Sequence, residues 1–254
     1  MICDIGVCKT GCLIGSSYYE TGTADPANPC LSCQSSMSTT SWSNVPSARC
    51  VQAIAAGGLH TCAIVNGAAL CWGANPNGEL GANSTDARSV SPVQVRGLTQ
   101  NVTAISAGDY QSCAVVNGGA QCWGYNPSGE LGNNSTVSSI VPVQVQNLTS
   151  GITSVSVRYG GGCALLGQLF AMCWGGPYLG DNTSNSSVIP VRVQGIGGIG
   201  SPPITSVVTG DTQTSCAIVN GGAQCWGIGS RGVLGNGSTA NSCYQVKFMA
   251  LAPV

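Results

Sequence analysis

The sequence contains few charged residues. Lysine, arginine, aspartate and glutamate together make up 7% of the 254 residues, and the formal net charge is −1. Proteins that bind nucleic acids neutralise phosphates with clustered lysine and arginine side chains. The eight basic residues of this chain form no such cluster, so we expect no nucleic-acid partner.

Histidine and long apolar runs are also scarce. His60 is the only histidine, so a Ser-His-Asp or Cys-His site would have to use it. It lies inside a repeated unit, which favours a structural hydrogen bond near the start of a strand. No apolar run reaches the roughly 18 residues of a membrane-spanning helix, and no signal peptide is recognisable. We therefore expect no membrane span.

Cysteine and glycine, by contrast, are abundant, with 15 and 37 residues. The triplet Cys-Trp-Gly recurs four times, beginning at Cys71, Cys122, Cys173 and Cys225, with a period of 51, 51 and 52 residues. Each triplet ends a unit that in its first copy reads HTCAIVNGAALCWG, from His60 onward. A period of this length is typical of propellers and solenoids, in which each repeat covers the next.

The repeated unit has the pattern of a hairpin closed by a disulfide. Asn66-Gly67 favours a type I′ turn, because both central residues need positive φ. Counting outward from that turn places Cys62 opposite Cys71 at a non-hydrogen-bonded pair, where Cα atoms are roughly 4.5 Å apart and a disulfide fits. The third copy has one residue more, with residues 167–169 as its turn. The same count predicts three further bonds, Cys113–Cys122, Cys163–Cys173 and Cys216–Cys225. Buried thiols and metal ligands are the alternatives.

A tryptophan follows the second cysteine of each hairpin and points to the opposite face of its strand. One face of the hairpin therefore carries the cysteine pair and the other carries the tryptophan, so both faces need cover. Stacking of one repeat on the next provides it. We predict that four tryptophans are buried between repeats: Trp72, Trp123, Trp174 and Trp226.

Each repeat contains four stretches with strand character. The first repeat begins with VQAIA at 51–55, continues through the two strands of the hairpin and ends with SPVQV at 91–95. Pro92, Pro142 and Pro190 are expected to open the last strand, which favours a position at the sheet edge. The pattern predicts an all-β fold, a propeller-like array of four four-stranded blades. Their bounds are about 51–101, 102–151, 152–203 and 204–254.

The pattern VxxIxxGxxHTCAIVNGxxxCWGxNxxGELG, followed by SPVQV, resembles the regulator of chromosome condensation repeat in its bacterial, cysteine-bearing form. The resemblance covers about residues 51–254 and implies a β-propeller, usually of seven blades, whereas this chain has four repeats. Members exchange nucleotides on a small GTPase, inhibit proteins or bind surfaces, so the resemblance implies no single function. The histidine of the pattern is kept only as His60, and Gln111, Gly161 and Thr214 occupy the matching places.

Residues 1–50 lack the repeat. They contain six cysteines: Cys3, Cys8, Cys12, Cys30, Cys33 and Cys50. We predict a small module held together by disulfides, with zinc bound by four thiolates as the alternative. Residues 11–43 resemble a cysteine-rich motif of secreted bacterial proteins, although Tyr18 stands where that motif has a further cysteine. This cysteine usage indicates an oxidising compartment. We therefore expect an extracellular or cell-surface protein whose leader peptide has been removed.

One cysteine remains after this count. Eight cysteines fill the hairpins and six lie in residues 1–50, which leaves Cys243. It is expected on an outer edge strand, at the place that proline holds in the other repeats. We predict that it bonds to the N-terminal segment of its own chain or of a neighbouring chain.

Acidic residues in the predicted loops give only weak support for a catalytic or metal site. Glu79 and Glu130 occupy equivalent loops, but the repeat alone explains that pairing. Asp109, Asp181 and Asp211 lie in predicted turns, where aspartate normally bonds to the backbone, and no calcium-loop spacing is present. We therefore predict no catalytic site, no cofactor and no metal site.

Two functions remain compatible with the sequence. The first is a non-enzymatic extracellular structural protein that self-associates into a larger surface or filamentous assembly. Four blades of a wider ring would leave two apolar end faces, around Ile54 and Trp72 and around Ile218 and Trp226. The second is a monomeric binding module that presents its loops to a protein or glycan partner. A closed four-bladed ring would favour this second function.

Overall fold

The computed structural model describes residues 51–211 and 213–247, together with the backbone of six short strands in residues 1–50. The chain divides into two compact units, Met1–Val51 and Gln52–Val254. The first contains three two-stranded antiparallel sheets. Their strands are β1 (Ile2–Asp4), β2 (Val7–Lys9), β3 (Gly11–Ile14), β4 (Ser17–Glu20), β5 (Leu31–Ser32) and β6 (Ser43–Asn44). The side chains of the six N-terminal cysteines, and hence their predicted pairing, lie outside the described residues.

The second unit consists of four four-stranded antiparallel sheets, in which strands adjacent in sequence are adjacent in the sheet. We call these sheets blades 1 to 4. Blade 1 contains β7 (Val51–Ala56), β8 (His60–Val65), β9 (Ala68–Ala74) and β10 (Arg88–Gln94), and blade 2 contains β11 (Val102–Ala107), β12 (Gln111–Val116), β13 (Gly119–Gly124) and β14 (Ser139–Gln144). Blade 3 contains β15 (Ile152–Arg158), β16 (Gly161–Leu166), β17 (Phe170–Gly175) and β18 (Ser187–Arg192), and blade 4 contains β19 (Ile204–Thr209), β20 (Thr214–Val219), β21 (Gly222–Gly227) and β22 (Ser242–Lys247). The predicted fold, four blades of four strands, is confirmed.

The turn chemistry explains the central hairpin of each blade. Asn66 and Gly67 have φ values of 51° and 77°, as a type I′ turn requires. The hairpin turns of blades 2 and 4 repeat these angles. In blade 3 the strands end at 166 and resume at 170, which confirms the three-residue turn. The resulting register pairs Cys62 with Cys71.

The expected position of the prolines is wrong. Pro142 does not open its strand but lies within β14, where the register shifts between the Cys122↔Val143 and Gly124↔Ser139 pairs. Pro92 and Pro190 lie within β10 and β18 in the same way. Proline has no N–H to donate, so the edge strand bulges around it and still pairs on both sides. Edge strands β10, β14 and β18 therefore begin two or three residues earlier than expected.

The core lies between successive blades rather than within one. Three clusters of buried apolar residues fill the junctions between blades 1 and 2, 2 and 3, and 3 and 4. In the middle cluster, Cys113 and Cys122 of blade 2 meet Val155 and Trp174 of blade 3. The cysteine faces of blades 1, 2 and 3 are thus covered by the tryptophan face of the next blade.

Candidate interaction faces

Each junction is closed by a tryptophan that fits against a loop of the preceding blade. Trp123, Trp174 and Trp226 are all 0% exposed. The indole N–H of Trp123 donates to the carbonyl oxygen of Glu79 at 2.7 Å, and that of Trp174 donates to Glu130 at 2.8 Å. These bonds join each blade to the backbone of its neighbour and satisfy an otherwise buried donor.

Glycine is required beneath these rings. A Cβ atom at Gly81 would lie 2.8 Å from two ring atoms of Trp123, and one at Gly132 would lie 2.8 Å from Trp174. Contacts that short would force the indole away from the loop carbonyl. The Gly-Glu-Leu-Gly sequence of the loop therefore serves the junction directly, through its last glycine and the carbonyl two residues before it.

The opposite face of each hairpin carries a disulfide, with Cα atoms 4.0–4.1 Å apart. The four bonds are Cys62–Cys71, Cys113–Cys122, Cys163–Cys173 and Cys216–Cys225. The first three lie beneath the next blade and are at most 1% exposed. Cys216, in the last blade, is only half-buried.

The two ends of the array lack this cover. On blade 1, Ile54 is 67% exposed and Trp72 is only half-buried, whereas Val155 and Val207, at the place of Ile54 in blades 3 and 4, are 8% and 5% exposed. The predicted burial of all four tryptophans is therefore wrong for Trp72, because no blade precedes it. We call this surface, with Ile54 and Trp72, the tryptophan end.

The other end lies on blade 4 and carries a disulfide. Ile218 is 44% exposed, whereas Val115, at the same place in blade 2, is 0% exposed. Val208 is 53% exposed on the same face. The prediction that Trp226 belongs to this end is wrong, because Trp226 points to the opposite face and is buried against blade 3. We call this surface, with Val208, Ile218 and Cys216–Cys225, the cysteine end.

His60 has a structural contact at the junction of blades 1 and 2. It is 3% exposed, and its Nε2 lies 2.7 Å from Ser112 Oγ. The Ser112 hydroxyl donates to the carbonyl oxygen of Glu79 at 3.0 Å, so Nε2–H of His60 donates to Ser112. Nδ1 is buried and has no partner among the described residues. This serine–histidine pair therefore lacks both an accessible nucleophile and an acid that orients the ring.

Burial lowers the pKa of His60 to about 4, from an ordinary value of 6.5. Between these values the unfolded chain binds a proton that the folded chain does not. The stability that neutral His60 provides is therefore complete above about pH 6.5 and is lost as the pH falls toward 4. We expect this loss to be on the order of 3 kcal/mol.

Urea unfolding at several pH values measures this loss. The matched control is His60→Gln, because Gln111 holds the same place in blade 2. Between pH 6.5 and pH 4, the free energy of unfolding of the wild-type chain should fall, and this fall should be missing from the variant. Identical slopes in the two proteins would contradict the assignment.

The glutamates of the equivalent loops bond within their own loops. Both are buried, at 2% and 3% exposure. The carboxylate of Glu79 accepts from the backbone N–H and side-chain amide of Asn77 at 2.9 and 2.8 Å, and that of Glu130 accepts from the N–H of Ser128 at 2.8 Å. Each carboxylate therefore stabilises the loop that presents its carbonyl oxygen to a tryptophan.

One ion-pair cluster was not predicted. Arg158, at the end of β15, forms an ion pair with Asp211 of blade 4 and lies 3.8 Å from Asp109 of blade 2. The hydrogen bond to Asp211 raises the pKa of Arg158. Of the aspartates expected in turns, only Asp181 bonds locally, accepting from Thr183 N and Oγ1. Arg158 directly precedes a glycine-rich turn in a chain with few charges. A lone charge at this place is the feature of the sequence that could have indicated the ion pair.

Hydroxyl groups join the first strands of blades 2, 3 and 4. The Ser106 hydroxyl accepts from the N–H of Val157, and the Ser156 hydroxyl accepts from the N–H of Thr209, both at 3.0 Å. Val208 holds the equivalent place on blade 4, opposite Cys216. The cysteine end thus presents an apolar side chain where the inner blades present serine.

Part of the blade array matches a known sequence repeat. Residues 66–115 and 117–166 match the regulator of chromosome condensation (RCC1) repeat. Each matched stretch begins near the hairpin turn of one blade and ends within the next.

Several solved structures share the fold of this chain. Yeast RCC1 (Prp20) bound to Kap60 aligns with a TM-score of 0.69 at 18% identity, covering 84% of this chain and 52% of its own. Prp20p from Saccharomyces cerevisiae, reported with its binding to Gsp1p and histones, gives 0.67 at 18% identity, covering 84% and 54%. Human WBSCR16 gives 0.51 at 15% identity, covering 84% and 72%. The chain spans about half the length of the yeast protein, and the likeness shows an RCC1-type β-propeller fold.

The register of blade 4 corrects the expectation for Cys243. Cys225 pairs with Val246, as Cys122 pairs with Val143, so Gln245 rather than Cys243 holds the place of Pro142. Cys243 does lie on an edge strand, where its carbonyl accepts from Asn182 N at 3.0 Å. It is part-exposed and forms no disulfide with the described residues. Its bond to the N-terminal segment, of its own chain or of a neighbouring chain, stays a prediction.

Two further findings concern ligands and membranes. Among residues 51–211 and 213–247, no three histidine, cysteine, aspartate or glutamate side chains lie together so that they could hold a metal ion. The part of the chain that the structure describes contains no helix of the length and hydropathy that a bilayer span requires.

Proposed function

We propose that this chain is a non-enzymatic structural protein of the cell exterior, and that it self-associates head to tail through the two ends of its RCC1-type array. The observation that carries this proposal is the complementarity of the ends. The tryptophan end of one copy matches the cysteine end of another as the inner blades match each other.

The loop of blade 4 has the form needed to receive a further blade. From the second cysteine to the last glycine it spans residues 225–235, the same length as 71–81 in blade 1. Gly232 and Gly235 have positive φ, as do their counterparts Gly78 and Gly81. Val233 therefore holds the place of Glu79, whose carbonyl oxygen accepts from Trp123, and Val233 is 46% exposed.

The tryptophan end supplies the matching donor. The indole N–H of Trp72 has no acceptor among the described residues, although Trp123 and Trp174 both use theirs. Docking would bring Trp72 of one copy against the carbonyl of Val233 in the next, and Ile54 against the exposed Ile218 face. Such a contact joins two different surfaces, so it forms a ring if the rotation closes and a filament if it does not.

The compartment is inferred from the cysteines. The chain has four hairpin disulfides, and disulfides persist in oxidising surroundings and are rare in the cytosol. This agrees with the secreted, cysteine-bearing bacterial form of the repeat that the sequence resembles, and with a cysteine-rich N-terminal module. We therefore place the protein outside the cell or on its surface.

A monomeric binding module is the second candidate. Its support comes from two structures of yeast Prp20, one solved with Kap60 bound and the other described with its binding to Gsp1p and histones. In this case the loops of the blades would contact a protein or glycan partner.

Light scattering on the full, disulfide-intact chain at micromolar concentration separates the two candidates. Self-association gives masses above 25.5 kDa, and both Trp72→Ala and Ile218→Asp should reduce the mass to that of the monomer. The control is Val137→Asp, which changes an apolar residue that is 72% exposed away from both ends. Electron microscopy then distinguishes rings from filaments. A monodisperse 25.5 kDa wild-type species would contradict self-association and favour the binding module.

A further inference from the structure

The sequence contains five asparagines that are followed directly by glycine. This dipeptide is chemically labile, because a glycine without Cβ lets its backbone nitrogen approach the carboxamide of the preceding asparagine. The reaction needs a glycine N–H that is free to lose its proton and a carboxamide that is free to rotate onto the nitrogen. Hydrogen bonds at each pair therefore decide its reactivity. The five pairs are Asn66-Gly67, Asn77-Gly78, Asn117-Gly118, Asn220-Gly221 and Asn236-Gly237.

The two pairs of blade 1 are held by side chains. After Asn66, the backbone N–H of Gly67 donates to Gln52 Oε1 at 2.6 Å, so the attacking nitrogen is engaged. The carboxamide of Asn77 donates to the carboxylate of Glu79 at 2.8 Å, so the group under attack is engaged. Each hydrogen bond must break before the ring can close.

Two further pairs have their carboxamide oxygen bonded. In the hairpin turn of blade 2, Oδ1 of Asn117 accepts from Nδ2 of Asn101 at 3.0 Å. In the loop of blade 4, Oδ1 of Asn236 accepts from the N–H of Ser238 at 3.1 Å. Both bonds fix the orientation of the carboxamide and oppose its rotation toward the glycine nitrogen.

Asn220-Gly221 forms the hairpin turn of blade 4 and is not held in this way. Its φ values, 51° and 77°, are the same as those of Asn117 and Gly118, so the two turns have the same shape. Both residues are exposed. Among the described residues, the carboxamide of Asn220 and the N–H of Gly221 form no hydrogen bond. The backbone N–H of Asn220 does donate, to the carbonyl oxygen of Pro203 at 3.2 Å.

A proline explains the free carboxamide. Pro203 holds the place of Asn101, since the carbonyl oxygen of Asn101 accepts from the N–H of Asn117 at the same distance, 3.2 Å. Proline has no side-chain amide. The bond that Asn101 provides to the turn of blade 2 is therefore missing from the turn of blade 4.

The end position of blade 4 removes a second restraint. The carbonyl oxygen of Gly67 accepts from the N–H of Val102 at 2.9 Å, and that of Gly118 accepts from Ile152 at 2.8 Å. In both cases the donor begins the first strand of the following blade. Gly221 has no such donor among the described residues, so its peptide group can rotate more freely.

We propose that Asn220 is a site of spontaneous deamidation and that it reacts before the other four asparagines. The Gly221 nitrogen loses its proton and bonds to Cγ of Asn220, while the bond from Cγ to Nδ2 breaks and ammonia leaves. Water then opens the resulting succinimide at either carbonyl, which leaves aspartate or isoaspartate at this position. Water is the only co-reactant.

The product changes the cysteine end. Asn220 follows Ile218 closely, and deamidation adds a negative charge to a chain whose net charge is −1. A charge costs free energy when an interface removes it from water. The consequence for assembly rests on the proposed self-association, in which Val51 of the next copy holds the place of Val102 and donates to Gly221. Deamidation should then oppose association, and association should protect Asn220.

The test follows deamidation in the full chain carrying Trp72→Ala, a substitution that blocks the proposed association at the end remote from Asn220. The protein is incubated at near-neutral pH with its disulfides intact, then reduced, digested and mapped by mass spectrometry. Isoaspartate is labelled with protein-isoaspartate methyltransferase. The peptide with Asn220 should convert from amide to acid first and take up the label, and Asn220→Gly, which tolerates the positive φ, should remove this earliest signal.

A matched variant tests the physical reason. Asn101→Gly removes the amide that holds Asn117, and glycine already occupies that place in blade 3 as Gly151. Deamidation of Asn117 should become faster by about three- to tenfold, the range for loss of one neutral hydrogen bond. An Asn220 that reacts no faster than Asn117 or Asn236, or an Asn117 that Asn101→Gly leaves unchanged, would overturn the proposal.

The wild-type chain, incubated in parallel, separates this proposal from self-association. Association should make Asn220 react more slowly in the wild-type chain than in Trp72→Ala. Equal rates in the two proteins would contradict self-association, whereas Asn220 reacting first in both would still support its assignment as the deamidation site.

Discussion

Replacing Trp123 with alanine should lower the free energy of unfolding by about 3–5 kcal/mol. The side chain is 0% exposed and fills the junction between blades 1 and 2. Its removal leaves a cavity that the disulfide face of blade 1 cannot close, and the carbonyl of Glu79 loses its indole donor. Thermal or urea unfolding of the two proteins measures the change.

Trp72→Ala is the matched control, because the same residue type in the same strand position lies at an open end. Trp72 is half-buried, so its loss should cost clearly less than that of Trp123. The two variants should also separate in light scattering, since only Trp72 belongs to the proposed contact between chains. Equal stability of Trp123→Ala and the wild-type chain would mean that stacking between blades does not hold the fold.

Removing the Cys113–Cys122 disulfide by replacing both cysteines with alanine should cost somewhat under 3 kcal/mol from chain entropy, roughly the value for a short closed loop. Both cysteines are 0% exposed beneath blade 3, so lost packing adds to this cost. Urea unfolding of the double variant measures the sum.

The disulfide at the cysteine end separates the two contributions. Cys216–Cys225 closes a loop of the same sequence separation, 9 residues, but Cys216 is half-buried with no blade above it. Its removal should therefore cost less, and the difference between the double variants measures the packing term. Mass mapping without reduction tests the pairing itself. A peptide that links Cys62 to Cys113 would contradict the hairpin register.

Local chemistry made the hairpins predictable. Asn66-Gly67 adopts the positive φ values that its sequence favours, and counting outward from the turn gives the Cys62 and Cys71 pairing found in the sheet. These interactions involve residues within a few positions of one another, so their geometry follows from the chain itself. The alternation of cysteine and tryptophan on opposite faces follows in the same way.

The sequence predicts a residue's position in a sheet wrongly where that position depends on the partner strand. Pro142 lies within an edge strand because the bulge around it is made against β13. Aligning the repeats by sequence puts Cys243 at the place of proline, whereas pairing with β21 gives that place to Gln245. Both the bulge and the register depend on which residues of a neighbouring strand form hydrogen bonds, and a single strand does not contain that information.

The repeat, the strands, the hairpin turns and the two kinds of face follow from the sequence alone, because periodicity and turn preferences act over short distances. Which side chains meet across a junction depends instead on how the blades pack against one another. Arg158 reaches Asp211, and His60 reaches Ser112. Each of these pairs lies about one repeat apart in the chain. The stacking of whole blades brings them together, and the exposed ends of that stack are where the proposed association takes place.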